Sequence, residues 1–413
     1  MSNECYLGRR DFLMKTVGAV GTSVGASQLM ARPDETNERA IEEAVEKVGK
    51  IARHKWPVSG RKISVLLGCA DWPDEVILAG MRCGVNYCHK AQYWDKEKRP
   101  KVLAAILKNR EAHYCQVVVD RVRGNHETGA IDEEEHYQHV KERLEATGLR
   151  YFDDMIFHFG YHTVEEYKTN RAFIRAFERL KKEKVVRRLA LSQHNYNGNA
   201  KVPGGQSAAE ILTALMPDGL YEHAQFFYSY GDSEAINTLV DQAKRKGFGT
   251  IGMKTSRGAS RMKQDEEFMK RLPAGISPHH ALARWLTTET KLDGAVIALR
   301  GLDQFVDTYS GAGKPIRASD KAVLDHLRIF ANREVCSLCN ECQPHCPQNV
   351  PIGEILRYER YALDYGEVDT AQALYAHLDR RATDCNNCGQ CLGHCPQGMR
   401  IPEKLSRAHG VLG

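Results

Sequence analysis

The sequence predicts an α/β chain in two parts: a (β/α)8 barrel over residues 61–318 and a small, mostly α-helical, cysteine-ligated domain over residues 319–413. Two observations carry this. Short apolar runs alternate with longer amphipathic segments in one repeating strand-then-helix order, and eight such units fit between residues 60 and 312. Eight of the thirteen cysteines crowd into residues 336–395 at metal-ligand spacings instead of scattering as disulfide partners would. A 413-residue chain that is 42% hydrophobic has core material for two or three domains. Lys+Arg 58 against Asp+Glu 53 gives a net charge of +5 with the signs interspersed, so no basic stripe points to nucleic acid.

Taken in order, residues 1–31 read as an address. Arg9-Arg10-Asp11-Phe12-Leu13 precedes a weakly apolar, Gly/Ala-rich run over residues 16–29, and Arg32-Pro33-Asp34-Glu35 then turns polar. This resembles a twin-arginine signal, with cleavage after Ala26 or Ala31. The resemblance implies export of the folded protein to the periplasm or cell surface, and a signal retained as an anchor would hold it at a membrane. No other uncharged apolar stretch reaches the roughly 18 residues a spanning helix needs, so the mature chain is expected to be soluble. Residues 32–60 form a charged helical lead-in.

The strand candidates are 63–68, 85–88, 116–119, 155–159, 188–192, 224–228, 250–253 and 294–299, each short and mostly β-branched or aromatic. Helical patterns fill intervals such as 132–146, 164–182, 233–246 and 278–288. In such barrels the reacting groups stand at the C-terminal ends of the strands, where the βα loops converge.

Several strand ends carry a resemblance to the aldo-keto reductase family. Gly84-Val85-Asn86-Tyr87 is similar to its second strand, Asp153-Asp154-Met155-Ile156-Phe157-His158 to its fourth, and Leu189-Ala190-Leu191-Ser192-Gln193 to its fifth. The resemblance implies a catalytic histidine at His158 and an NADP(H) site: Ser192, Gln193 and Gln225 at the nicotinamide carboxamide, Met253, Lys254 and Arg300 near the phosphates. Carbonyl reduction also needs a proton donor beside the oxygen and a cation that lowers its pKa. Here the chain departs from the family's Asp, Tyr and Lys. His89-Lys90-Ala91-Gln92-Tyr93-Trp94 places His at the Asp position and Tyr one residue early, and Asp120-Arg121 stands where Lys is expected. Two readings follow. Either Tyr93 is the acid, polarised by Arg121 and His158 with His89 or Lys90 nearby, or the tetrad is lost and the barrel binds a ligand without carbonyl chemistry. Trp94 and Tyr87 read as packing residues; His162, His194, His279 and His280 read as surface or loop histidines. Cys69, Cys83, Cys88 and Cys115 read as small buried thiols.

Cys336-x2-Cys339-x2-Cys342-x3-Cys346-Pro347 is followed by the same pattern at Cys385, Cys388, Cys391 and Cys395-Pro396. Three thiolates at this spacing wrap three corners of a cubane, and the fourth ligates the other cluster in two-cluster ferredoxins. That assigns Cys336, Cys339, Cys342 and Cys395 to one [4Fe–4S] cluster and Cys385, Cys388, Cys391 and Cys346 to a second. Residues 355–363 and 370–378 are helical in pattern, so this part resembles a helical two-cluster ferredoxin, joined to the barrel by a helix over 320–333.

Together the parts resemble the exported, iron-sulfur members of the aldo-keto reductase family. The expectation is an oxidoreductase acting on a small carbonyl- or alcohol-type molecule, relaying electrons to a one-electron protein partner. The alternative is an electron-transfer or ligand-binding protein whose barrel is a scaffold. A nicotinamide passes a two-electron hydride while each cluster takes one electron, and no flavin motif bridges the two.

Overall fold

A computed structural model describes residues 33–69, 72–121, 129–197, 199, 202–232, 234–273 and 275–413. The expected export signal lies outside the described residues. The helix Pro33–Val48 lies on the outside of the barrel against helices Asp74–Cys83 and Leu302–Tyr309, burying Ile41 and Ala44.

An antiparallel hairpin of β1 (Arg53–Lys55) and β2 (Lys62–Ser64) follows. It carries Trp56, which packs fully buried among Ile63, Leu67, Tyr87, Tyr114 and Ile251 and plugs the N-terminal end of the barrel. The barrel itself is closed and parallel. Its strands are β3 (Leu66–Cys69), β4 (Tyr87–His89), β5 (Tyr114–Val119), β6 (Phe152–Phe157), β7 (Val186–Ser192), β8 (His223–Phe227), β9 (Gly249–Met253) and β10 (Gly294–Val296), with β10 pairing back onto β3. Each expected apolar run yields one barrel strand with one correction. The run 63–68 divides, because the Asn86 side chain accepts from the Ser64 amide (3.1 Å) and donates to the Lys62 carbonyl (2.9 Å), ending β2 before β3 begins at Leu66.

The strands are apolar on their outer face, where the surrounding helices cover them, and the interior is filled by side chains. Part of that filling is polar. Tyr114 and Tyr87 donate to Asp154 at 2.7 and 3.1 Å, His223 lies 3.3 Å from it, and Gln116 joins Tyr87 to His89 higher in the barrel. Cys69, Cys83, Cys88 and Cys115 are buried.

Helix Ala318–Glu334 leaves the barrel, and a separate core then gathers helices Ile352–Tyr365, Val368–Ala376 and Ile401–Leu412 around Ile355, Leu356, Tyr375, Leu405 and the cysteine loops. Among the described residues no helix is long and apolar enough to cross a membrane.

Candidate metal centres and barrel mouth

The two cysteine loops fold as structural repeats. Leu338 and Asn387 each sit two residues after the first cysteine, and both are left-handed (φ 61° and 58°). The same holds for Asn340 with Gly389 and for Asn349 with Gly398. Left-handed residues reverse the chain's curvature, turning successive thiols toward one centre. Cys336, Cys339, Cys342 and Cys395 line an empty volume of about 360 Å³, with Ile352, Leu356, Met399 and Ile401 around them. Cys346, Cys385, Cys388 and Cys391 line another of about 300 Å³. The fourth cysteine of each loop thus faces the other loop's cavity.

The donor set fits [4Fe–4S] chemistry. Four thiols line each volume, the number a [4Fe–4S] cubane takes. Burial, reinforced by Cys339 and Cys395, pushes the Cys336 thiol up to about 12, a penalty that iron removes by binding the thiolate. Amides of Leu338 and Met399 donate to the sulfurs of Cys336 (3.3 Å) and Cys395 (3.4 Å), contacts that raise a cluster's potential. Gly353 opens the helix beside the first cavity, and a Cβ there would fall 2.1 Å from Asn340 Oδ1.

At the C-terminal ends of the barrel strands, β5 runs into Asp120 and β6 into His158. His158 Nδ1 and Asp120 Oδ1 are 2.5 Å apart, both side chains a quarter exposed. A carboxylate there fixes Nδ1–H and leaves Nε2 to exchange a proton with a substrate. The His194 ring stands edge-on to His158 at 5.9 Å, between Phe159 and Phe227. Burial, with His158, Lys254 and Arg357 adding repulsion, holds His194 well below the usual histidine range, so it is a neutral imidazole. Lys254, left-handed at the end of β9 (φ 58°), places its ammonium over Phe227 (4.9 Å) and Tyr361 (5.5 Å). Burial, followed by Arg360, Arg357 and Lys90, drives its pKa well below the lysine norm.

One loop joins the two centres. Immediately after His194, Asn195 Nδ2 donates to the Leu338 carbonyl (3.4 Å), and Asn197 Nδ2 to the Cys339 carbonyl (2.8 Å) and to Glu341 (3.2 Å). The first cysteine cavity is therefore seated on the loop that presents His194 to His158.

Residues 335–399 match the family model of the 4Fe-4S dicluster domain. That decides the cysteine half as iron-sulfur binding and ferredoxin-like. No curated protein matches the chain. The barrel is similar to the aldo-keto reductase AKR11C1 from Bacillus halodurans in its holo form, with a TM-score of 0.51 and 15% identity over 67% of this chain and 96% of that one. The apo form of the same protein gives 0.47 and 13%, again over 67% and 96%. At such identity the likeness is one of fold, a (β/α)8 barrel.

The expected barrel residues divide. His158 and Lys254 face the mouth. Lys90 is left-handed (φ 58°) at its rim, and Tyr93 stands 52% exposed on the turn after β4. Arg121 does not polarise an acid: it is buried, paired through both nitrogens with Glu166 (2.9 and 2.8 Å), and donates to the carbonyls of Gly129 and Gly160. His89 lies inside the barrel, bonded to Gln116 (2.5 Å) and Gln225 (3.2 Å), and Gln225 also donates to Gln116 (3.2 Å), so its amide is engaged as well. Gln193 turns its amide into the wall, donating to the carbonyls of Tyr161 (2.7 Å) and His194 (2.9 Å). Gly160 makes room for it, since a Cβ at that left-handed position (φ 72°) would fall 2.3 Å from Gln193 Oε1. Ser192 Oγ is 3.9 Å from Met253 Sδ, and Arg300 reaches the Asp364 carbonyl at 3.4 Å. The nicotinamide ligands implied by resemblance are thus largely engaged within the chain. Asp120, standing beside the singled-out Arg121, and His194, expected at the surface, are the mouth residues that sequence reasoning missed.

Proposed function

We propose that the protein is an iron-sulfur oxidoreductase that holds two [4Fe–4S] clusters and acts on a small carbonyl- or alcohol-type molecule at the barrel mouth. The single observation that supports it most is the loop 194–197, which carries a mouth residue at one end and grips the first cysteine loop at the other. In this reading His158, held by Asp120, gives or takes the substrate's proton; Cys336, Cys339, Cys342 and Cys395 would hold one cluster and Cys346, Cys385, Cys388 and Cys391 the other, which would supply one-electron chemistry shared with a protein partner. Oxidation of an alcohol to a carbonyl would release two electrons, one for each cluster, and two protons, the hydroxyl proton through His158 and the carbon-bound one to solvent; reduction is the reverse. Export by the twin-arginine route accords with clusters inserted before transport. Nicotinamide is given no step, because Gln193, Gln225 and Arg300 are engaged elsewhere.

The test is a panel of carbonyls and alcohols added to anaerobically reconstituted protein whose visible cluster absorption is followed. A substrate changes that absorption in the wild type, whereas His158→Ala and Asp120→Asn respond only to dithionite. A second reading, the barrel as scaffold for an electron-transfer domain, draws on the internal bonding of His89 and Arg121. It prevails if no carbonyl or alcohol changes the cluster absorption of the wild type while dithionite does.

A further inference from the structure

Helix Ile352–Tyr365 is buried without a break from Ile352 to Arg360, although Glu354, Arg357, Glu359 and Arg360 are charged. A helix at a domain surface keeps its polar face in water, whereas this one is enclosed. Ile355, Leu356 and Tyr358 face the cysteine domain's own core. Of its charged residues, Arg357 and Arg360 lie toward Lys254 of the barrel, and Glu359 is shared between Arg261 of the barrel and Arg407 of its own domain.

The barrel loops it meets follow β9 and β10, the seventh and eighth barrel strands, which is where (β/α)8 barrels hold the phosphates of their ligands. Those loops carry Lys254, Arg257, Arg261 and Arg300. Each is engaged from the covering side. Lys254 lies under the Tyr361 ring. Arg261 pairs with Asp364 and, at 3.4 Å, with Glu359. Arg300 donates to the Asp364 carbonyl, and Arg257 to Asn332 at the end of the preceding helix. Glu359, Asp364 and the carbonyl end of the helix take up Arg261 and Arg300, while Arg360 and Arg357 of the same helix crowd Lys254, so the groove's anion-binding groups are already engaged within the chain.

We propose that helix Ile352–Tyr365 is the resident occupant of the barrel's phosphate groove and excludes nicotinamide dinucleotides from it. This deepens the oxidoreductase reading and rests on it in one respect: with the groove filled, the cysteine domain is the electron route to the mouth.

The test is titration of the anaerobically reconstituted, full-length protein with NADPH and with NADH, followed by nicotinamide fluorescence and visible absorption, alongside amide hydrogen exchange. Expected are no saturable binding up to about 1 mM nucleotide, no bleaching by either nucleotide while dithionite bleaches, and slow exchange over residues 352–360 that nucleotide leaves unchanged. Saturable binding of either nucleotide overturns the proposal, as does exchange over 352–360 at the rate of an exposed helix. His158→Ala excludes nucleotide just as the wild type does. Unimpaired turnover by that variant would count against the active-site reading alone, so the two can fail separately.

Discussion

His345 and His394 stack ring on ring, their centroids 3.3 Å apart and their planes 4° from parallel. They hold the same place in the two cysteine repeats, each immediately before the cysteine that crosses to the other loop's cavity. The stack therefore ties the repeats together where their ligands exchange. Both rings are exposed, so their contribution is modest, about 0.5–1.5 kcal/mol for an aromatic pair. His345→Ala, His394→Ala and the double variant should lose about the same stability, because either substitution leaves the other ring without a partner. Urea midpoints across the double-mutant cycle measure this, and additive losses would show that the rings do not cooperate.

The crossed cavities predict how iron is lost. Cys395→Ser should strip about half the iron, as should Cys336→Ser, and combining them should strip no more. Cys395→Ser with Cys388→Ser should empty both sites. If Cys395 instead served its own repeat, the two combinations would exchange outcomes in an iron and sulfide assay.

The Asp120 to His158 contact of 2.5 Å predicts that Asp120→Asn lowers turnover by roughly 10² to 10⁴, a range typical of positioned proton transfer. His158→Ala should cost as much, with the double variant no worse than either, since the pair acts as a unit. Equal KM values with reduced kcat would place the loss in the chemical step.

Arg121 should behave differently. Its removal leaves Glu166, which burial pushes up and Arg121, helped by His162, holds below the usual carboxylate range, without its guanidinium, so Arg121→Ala costs about 3–5 kcal/mol of stability. Thermal unfolding should fall well before kcat does in the surviving folded fraction. A fully stable but inactive Arg121→Ala would restore a catalytic role to this arginine.

The contrast between these neighbours shows what was legible. Short apolar runs mark the eight barrel strands because β-branched residues recur wherever both sheet faces are covered. Side-chain direction at a strand end is harder to read. Asp120 and Arg121 are consecutive, and with a period of two one faces the mouth while the other faces away, so a one-residue error in register exchanges their roles. The hairpin arm at Lys62–Ser64 merges with β3 in the sequence because the break depends on Asn86, more than twenty residues onward. The burial of His194 and the filling of the groove by helix Ile352–Tyr365 arise from how one half lies on the other. The cysteine spacings name the ligands but carry no trace of that docking.

The barrel's buried polar ladder predicts a pH dependence. Burial, opposed by the Tyr114 hydroxyl and reinforced by Asp153, raises Asp154 to about 8, so it is protonated at neutral pH. An acid whose folded pKa exceeds its unfolded value of about 4 binds a proton that the unfolded chain has released, so stability falls as pH rises from about 4 to about 8. His223 acts the other way. Burial and then Arg188 lower it to about 3, and stability rises with pH up to the unfolded histidine value of about 6.5. His113 and His279, which burial lowers to about 4, act in the same sense as His223, so below pH ~6.5 the histidines outweigh Asp154 and stability rises with pH, and a net decline of up to about 1.4 kcal/mol per pH unit is left between there and pH ~8. Asp154→Asn keeps one of the two oxygens that accept from Tyr114 and Tyr87 and cannot ionise, so it should abolish that decline and steepen the rise due to the buried histidines at lower pH. Thermal midpoints of wild type and variant at pH 5.5, 7 and 8, roughly the two ends and the middle of this window, check the sign: a variant whose midpoint still drops from 7 to 8 would place the titrating group elsewhere.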